Sequence, residues 1–289
     1  MVANVIVTVL VLAVIVGLWI ILYDSNRFVI VSHKIGHKNV KTDVKAVIIS
    51  DLHNKQYGKE NEKLIKAIKD QAPDLIICAG DIMTAKPGKT VDIATGFIKK
   101  INEIAPVYYG MGNHEYRAGI YLDKYKDMYE KLISGLNEGN VSPLINEKRE
   151  FKDTGINIYG LQIDREYYKR FNCPEMEKEY IEGLLGTPEG EHFNILIAHN
   201  PFYFETYVEW GADLVLSGHV HGGVVRVPVW GKGFISPNLR IFPKYDGGVF
   251  IKGHTTMILS RGLGGHTIPF RMFNPGEVIV LEITGEREQ

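Results

Sequence analysis

Apolar and polar positions divide the chain into three stretches: one unbroken apolar run, an alternation of short apolar strands with amphipathic helices, and a tail rich in glycine and proline. Residues 2–23, VANVIVTVLVLAVIVGLWIILY, carry no charge, and only Asn4 and Thr8 are clearly polar. At about 1.5 Å per residue, a helix of this run covers about 30 Å of hydrocarbon, which predicts a single transmembrane anchor. A cleaved signal peptide would have a shorter apolar region, a basic start and a small-residue cleavage site. A core helix would keep a polar face. Arg27, Lys34, Lys38 and Lys41 follow the run closely. The excess of basic residues on that side places the following domain in the cytoplasm.

Beyond the anchor, KAVIIS (45–50) has the pattern of a buried strand, and ENEKLIKAIKDQ that of a helix with Leu64, Ile65 and Ile68 on one face. The strand DLIICAG, a helix over VDIATGFIKKI and the strand APVYYG continue a β-α-β-α-β run, which favours a layered α/β sheet. From FKDTGINIYGLQI the pattern shifts to successive strands, then to a helix over EMEKEYIEGLL and the strands FNILIAHN and ADLVLSGHVHGG. Strands joined by turns, VVRVPVW, TTMILS and EVIVLEI among them, close the chain. The predicted organisation is an anchor over 1–24, a basic juxtamembrane segment over 25–44, and one domain over 45–289 with two packed sheets and helices outside.

Composition narrows the function classes. A net charge of -1 with 23% charged residues gives no basic footprint for nucleic acid. The two cysteines, Cys78 and Cys173, form neither a disulfide framework nor a CxxC metal site, and Cys78 lies in an apolar run as a core residue.

The candidate chemistry sits where apolar strands end. Asp51 and His53 follow KAVIIS, Gly80-Asp81 follows DLIICA, and Gly112-Asn113-His114-Glu115 follows APVYYGM. His199-Asn200 follows FNILIA, and Gly218-His219-Val220-His221 follows ADLVLS. In an open α/β sheet, ligands collect outside the carboxyl ends of the strands. Mixed carboxylate and imidazole donors suit borderline divalent ions such as Mn, Fe or Zn better than Mg or Ca. One bridging carboxylate would hold two ions about 3.5 to 4 Å apart, the separation of two-metal hydrolytic sites. In an extended SGHVHGG, His219 and His221 would face one spot, and the surrounding glycines would permit a sharp turn and leave room for a substrate phosphate.

SDLHN, AGDIM, MGNHEY, IAHNP and SGHVHGG, in this order, resemble the signature of the calcineurin-like metallophosphoesterases over about residues 45–284. FPKYDGG and SRGLG resemble the tail of its membrane-anchored bacterial branch. The resemblance implies a four-layer α-β-β-α sandwich after one transmembrane helix. It implies that Asp51, His53 and His221 bind one metal, that Asp81 bridges, and that Asn113, His199 and His219 bind the second. His114 would be no ligand but would stand over the phosphate, stabilising the transition state or protonating the leaving oxygen. Thr84 stands where the family often has an acidic residue, and Val224 where the branch usually has an amide.

Each short motif alone has a bland explanation: Asp51 as a helix cap, Gly80-Asp81 as a turn, His219 and His221 as a solvated turn. Five in order, each after an apolar strand, do not arise that way by accident. His33 and His37 are expected to be solvated or near lipid headgroups, and His192 to lie on the surface. His254 and His266 flank turns near the chain's end. RGLGG is expected to be a turn rather than a phosphate loop, because no helix pattern follows it. Lys244 and Tyr245 either contact substrate or form a turn.

The function expected is a binuclear metal-dependent phosphohydrolase in which metal-bound hydroxide attacks a phosphoester or pyrophosphate. A lipid-linked ester such as UDP-diacylglucosamine, cleaved by relatives in the branch, is one candidate substrate. The alternative is a metal-binding scaffold of the same fold without catalysis.

Overall fold

The computed structural model describes residues 1–169, 173–228, 230–235, 241–265 and 270–286; His266 lies outside them. Helix α1 (Val2–Ser25) leads through Asn26 and Arg27 into strand β1 (Phe28–His37). Then β2 (Val44–Ile49), α2 (Glu62–Asp70), β3 (Leu75–Ala79), α3 (Asp92–Asn102) and β4 (Val107–Gly110) alternate. Helices α4 (Asn113–Ile120), α5 (Leu122–Tyr125) and α6 (Met128–Glu138) precede β5 (Pro143–Leu144), β6 (Glu147–Phe151) and β7 (Ile156–Leu161). The next alternation is α7 (Lys178–Leu185), β8 (Phe193–Ala198), α8 (Phe204–Trp210) and β9 (Leu214–Ser217). The tail adds β10 (Val225–Val227), β11 (Lys232–Ile235), β12 (Gly248–Lys252), β13 (Thr255–Leu259) and β14 (Gly276–Gly285).

Two mixed six-stranded sheets result, in the orders β1-β14-β2-β3-β4-β5 and β12-β13-β9-β8-β7-β6, with β10-β11 as a separate hairpin. In each sheet the central strands run parallel, with antiparallel pairs at β14-β2, β6-β7 and β12-β13. Strand alternation assigns residues to layers. Val47, Ile49, Ile76 and Cys78 face Leu64, Phe97 and Leu132 of the helices on one outer side. Ala46, Ile48, Leu75 and Ile77 meet Ile195, Ile197, Leu214 and Leu216 between the sheets. Leu196, Val215 and Met257 meet Ile181, Phe204 and Tyr207 on the other outer side. These three apolar seams make the four-layer α-β-β-α sandwich. Central strands covered on both faces must be apolar at every position, which is why their sequences are unbroken runs. Cys78 is fully buried among them.

The stretch behind α1 contains a strand that its composition hides. Residues 28–37 pair in parallel with β14 at every position, from Phe28 opposite Gly276 to His37 opposite Gly285. An edge strand leaves one side half-exposed, so it tolerates Ser32, Lys34 and His37, and such residues also discourage further strand pairing. His37 packs against Phe193 and lies 3.7 Å from Asp213. α1 is exposed and is long and apolar enough to cross a membrane, with a mean hydropathy of 3.2 over its most apolar window.

Truncating Leu216, which is fully buried between the sheets, to alanine should cost about 2–5 kcal/mol of stability in urea unfolding. Lys66→Ala, which removes an exposed pair with Asp70, should barely move the midpoint.

Candidate metal centre

The five strand ends converge on one buried cleft. Asp51, His53, Asp81, His114, His199 and His221 are all buried, and Asn113 and His219 are half-buried. The backbone turns there by an unusual route. Asp51, His53, Asp81, His219 and His221 all have φ between 50° and 73°, the left-handed region that side chains other than glycine rarely adopt. Five such residues in one cleft store strain of the kind that concentrates at functional sites. SGHVHGG is therefore not extended: its two histidines are aimed by left-handed turns into different groups.

One group is Asp51, His53 and His221. His221 Nε2 lies 3.2 Å from Asp51 Oδ1 and 3.1 Å from His53 Nε2, and the two rings stack within 4° of parallel. The second group is Asp81, His199 and His219, with His199 Nε2 3.2 Å from Asp81 Oδ2. Asp81 faces both groups, because the same Oδ2 is 3.8 Å from His53 Nε2. His114 also comes within reach of His53 and Asp81, its ring edge-on to His53 at 4.8 Å.

Hydrogen bonds fix several ring orientations. His199 Nδ1 is 2.7 Å from the Ala79 carbonyl and His221 Nδ1 is 3.3 Å from the Gly264 carbonyl. Carbonyls only accept, so each Nδ1 carries a proton and each Nε2 is turned toward the carboxylates. This is the arrangement in which a second partner orients a metal-binding imidazole. His114 is set the opposite way. Its Nδ1 accepts from the Ala85 N–H at 2.9 Å and faces the Arg117 guanidinium at 3.2 Å, which puts the proton of the neutral ring on Nε2.

The carboxylates and imidazoles of the cleft shift one another strongly. Burial raises the pKa of Asp51, but His221 and His199 outweigh it and hold the carboxyl well below its usual range. Asp81 is likewise lowered against burial, by His199 and His114. Burial favours a neutral His199, yet Asp81 and Asp51 push its pKa up to about 10. Burial, then the charge of His199, pushes His219 down to about 3, leaving its lone pair available. Asn113 Oδ1 and His199 Nε2 are buried without a hydrogen-bond partner. Two buried carboxylates ringed by imidazoles, with His199 Nε2 turned toward them and Asn113 Oδ1 buried without a partner, fit divalent cations.

Gly222 and Gly223, with φ of 71° and 73°, make the sharp turn expected of them, and other glycines have a further task. A Cβ at Gly112 would collide with the Asp81 carboxylate, and one at Gly218 with Ser50 Oγ and the Asp51 carboxylate. Gly112 and Gly218 thus admit the protein's own carboxylates at close range. RGLGG is a turn, as expected, but one that supports the site. Leu263 N–H donates to the Ser50 carbonyl and Gly264 N–H to that of Asp51, while the Gly264 carbonyl meets His221. Lys244 and Tyr245 bond Glu205, at 2.6 Å and 3.0 Å, as a structural turn would. His254 is exposed, and His192 is half-buried beside Glu189. Val224 is buried; its N–H donates to the Ile235 carbonyl and its carbonyl accepts from the Met272 N–H, as in a strand.

Three supporting residues carried no assigned role in the sequence. Glu115 is fully buried and accepts from the N–H groups of Asp81, Ile82, Met83 and Gly112 and from the Tyr109 hydroxyl. It ties the Asp81 turn to the Asn113 turn, and burial, then Asp81, pushes its pKa up to about 7. Its place in GNHE was the available signal. Arg271 is buried and donates to the carbonyls of Gly264 and Arg261, backing the turn behind His221. Tyr168 stands edge-on to His219 at 5.5 Å. Neither of these had a motif to announce it.

Residues 44–223, more than half of the chain, match the model of the calcineurin-like phosphoesterase family. The chain belongs to that family. Its buried His/Asp groups are placed to hold metal ions. A metallophosphoesterase of Campylobacter jejuni is 29% identical over 263 residues, covering 86% of this chain and 61% of its own length. One from Helicobacter pylori strain 26695 is 26% identical over 249 residues, covering 83% and 60%. The chain thus spans about three-fifths of the length of these two relatives. The phosphodiesterase YaeI of Escherichia coli is 24% identical over 269 residues, covering 90% of both chains.

Glu115→Gln places an amide where the carboxylate takes four N–H donors. It should weaken divalent metal binding roughly 10–100-fold, as loss of an orienting partner does, in calorimetric titration of metal-stripped protein with Mn²⁺.

Proposed function

We propose that this chain hydrolyses a phosphoester or pyrophosphate at a pair of divalent ions. Asp51, His53 and His221 hold one ion, Asn113, His199 and His219 the other, and Asp81 stands between them. The observation that carries this reading is the position of Asp81 Oδ2, 3.2 Å from the imidazole nitrogen of one group and 3.8 Å from that of the other. Bound there, such ions supply Lewis-acid charge for phosphoryl oxygens and make water a stronger nucleophile near neutral pH.

The chain's own residues supply positioning and proton control. His114 offers an Nε2–H donor, held by Ala85 and Arg117 behind its other nitrogen. In this role it donates a hydrogen bond to an oxygen that gains charge as the ester breaks. Glu115 keeps the two turns that carry Asp81 and Asn113 in register. Manganese, iron and zinc all suit the mixed donor set.

In the same reading, residues 1–24 anchor the chain in a bilayer, and the phosphoesterase domain, expected over 45–289 but including β1 from Phe28, lies on the cytoplasmic side. The uncharged run over residues 2–23 and the basic residues after it support this. An anchored domain suits a substrate in the membrane, and a lipid-linked pyrophosphate such as UDP-diacylglucosamine is the candidate. The net charge of -1 supports no nucleic-acid substrate.

Metal-stripped full-length protein in detergent should not cleave bis-p-nitrophenyl phosphate, and Mn²⁺ should restore turnover. His114→Ala at full metal occupancy should lower that turnover about 10²–10⁴-fold. Equal rates for wild type and His114→Ala would reject the catalytic assignment, and no turnover by either would favour the metal-binding scaffold.

A further inference from the structure

We propose that the β10–β11 hairpin, the adjoining residues Ile241 and Phe242, and the Phe270–Phe273 turn form a second, interfacial contact with the bilayer that α1 enters. This rests on the reading of α1 as a membrane anchor. Its chemical basis is an apolar surface that stands exposed among the described residues. Trp230 is 71% exposed and Ile241 64% exposed, and Phe234, Phe242, Phe270 and Phe273 are exposed with them. The Phe234 and Phe242 rings meet edge to face at 5.4 Å, and the Phe242 N–H donates to the Phe234 carbonyl, so the aromatic cluster is organised rather than scattered. A monomeric protein in water rarely keeps such a patch without a use.

The occupant follows from where the patch lies. Ser25, the last residue of α1, accepts through Oγ from the Arg271 N–H at 2.9 Å, and Phe270 and Phe273 flank that residue. The hairpin is attached to the same turn by the Val225–Met272 bridge and by the Arg226 N–H to the Met272 carbonyl at 3.1 Å. Exposed aromatics therefore begin where the apolar helix ends.

The helix has little freedom to swing away. Asn26 takes the Lys55 ammonium at 2.9 Å, the Arg27 carbonyl accepts from Gly276 N–H at 3.1 Å, and Arg27 pairs with the buried Asp24 at 2.8 Å. A helix that enters a bilayer from this point brings the lipid surface to the patch. Trp, Phe and Ile beside Arg27, Lys55 and Lys232 have the composition of a surface that sits at the level of lipid headgroups.

The contact would also set the position of the metal centre. Arg226 Nη1 donates to the Gly222 carbonyl at 2.8 Å, and Asn274 Nδ2 donates to the carbonyls of His221 at 2.8 Å and of Gly223. The hairpin and the turn thus grip the loop that carries His219 and His221. A domain seated on this surface holds its His/Asp cleft beside the headgroup layer, where a lipid phosphoester lies.

The test reconstitutes the full chain in phosphatidylcholine–phosphatidylglycerol vesicles containing lipid brominated near the glycerol end of its acyl chains. Trp19 lies in α1, Trp210 is buried, and Trp230 is the reporter. The difference between Trp19→Phe and Trp19→Phe/Trp230→Phe isolates Trp230, which should be blue-shifted and quenched by the bromolipid. Quenching by aqueous iodide instead would overturn the inference. So would a blue shift without bromolipid quenching, which would mean that protein, such as a second copy of the chain, covers the patch. The Trp230→Phe variant reports on Trp19 separately. Bromolipid quenching of Trp19 with none of Trp230 overturns the interfacial contact and leaves the anchor standing, and loss of both overturns the two together. The phosphoesterase assignment is untouched by either result, since no turnover is read.

Discussion

Two carboxylates, Asp51 and Asp81, are buried side by side at the edge where two sheets meet, and this charge is the constraint on which the rest of the centre depends. Removing a carboxylate from water costs several kcal/mol unless positive charge or donors replace the water. Here the replacement comes from imidazoles of both sheets: His53 after β2, His199 after β8, His221 after β9. Neither half of the sandwich can complete the cleft alone. The cleft therefore requires the inter-sheet seam of Ile48, Ile77, Ile195 and Leu216 to hold β2 and β3 against β8 and β9.

The same constraint accounts for the local backbone. Side chains at strand ends cannot all point into one cleft with ordinary dihedrals, so Asp51, His53, Asp81, His219 and His221 take positive φ. Gly112 and Gly218 lack a Cβ where the carboxylates press closest. Glu115 replaces water for four N–H groups at the bends and so adds a third buried carboxyl to the cleft. A cluster so dense in negative charge and oriented imidazole nitrogens is built for cations.

Much of this was legible in the sequence because the layers and the chemistry leave marks of different kinds. Unbroken apolar runs such as KAVIIS and FNILIA mark strands covered on both faces, and the polar residue that follows each run marks the edge where they end. What stayed hidden was structure whose residues look ordinary. β1 resembled a basic linker because an edge strand need not be apolar. Gly264 acts through its own backbone groups, which any residue has, and the Arg271 guanidinium donates to backbone carbonyls, so no pairing of side chains signals either. The extended reading of SGHVHGG failed because spacing reveals that two residues are neighbours, not the sign of φ between them.

The central claim, that Asp81 joins two metal positions into one centre, is tested most directly by electron paramagnetic resonance of the metal-stripped protein titrated with Mn²⁺. A spin-coupled signal that grows to two equivalents, and is lost in Asp81→Ala, is the result expected. An uncoupled six-line signal that saturates at one equivalent would contradict it.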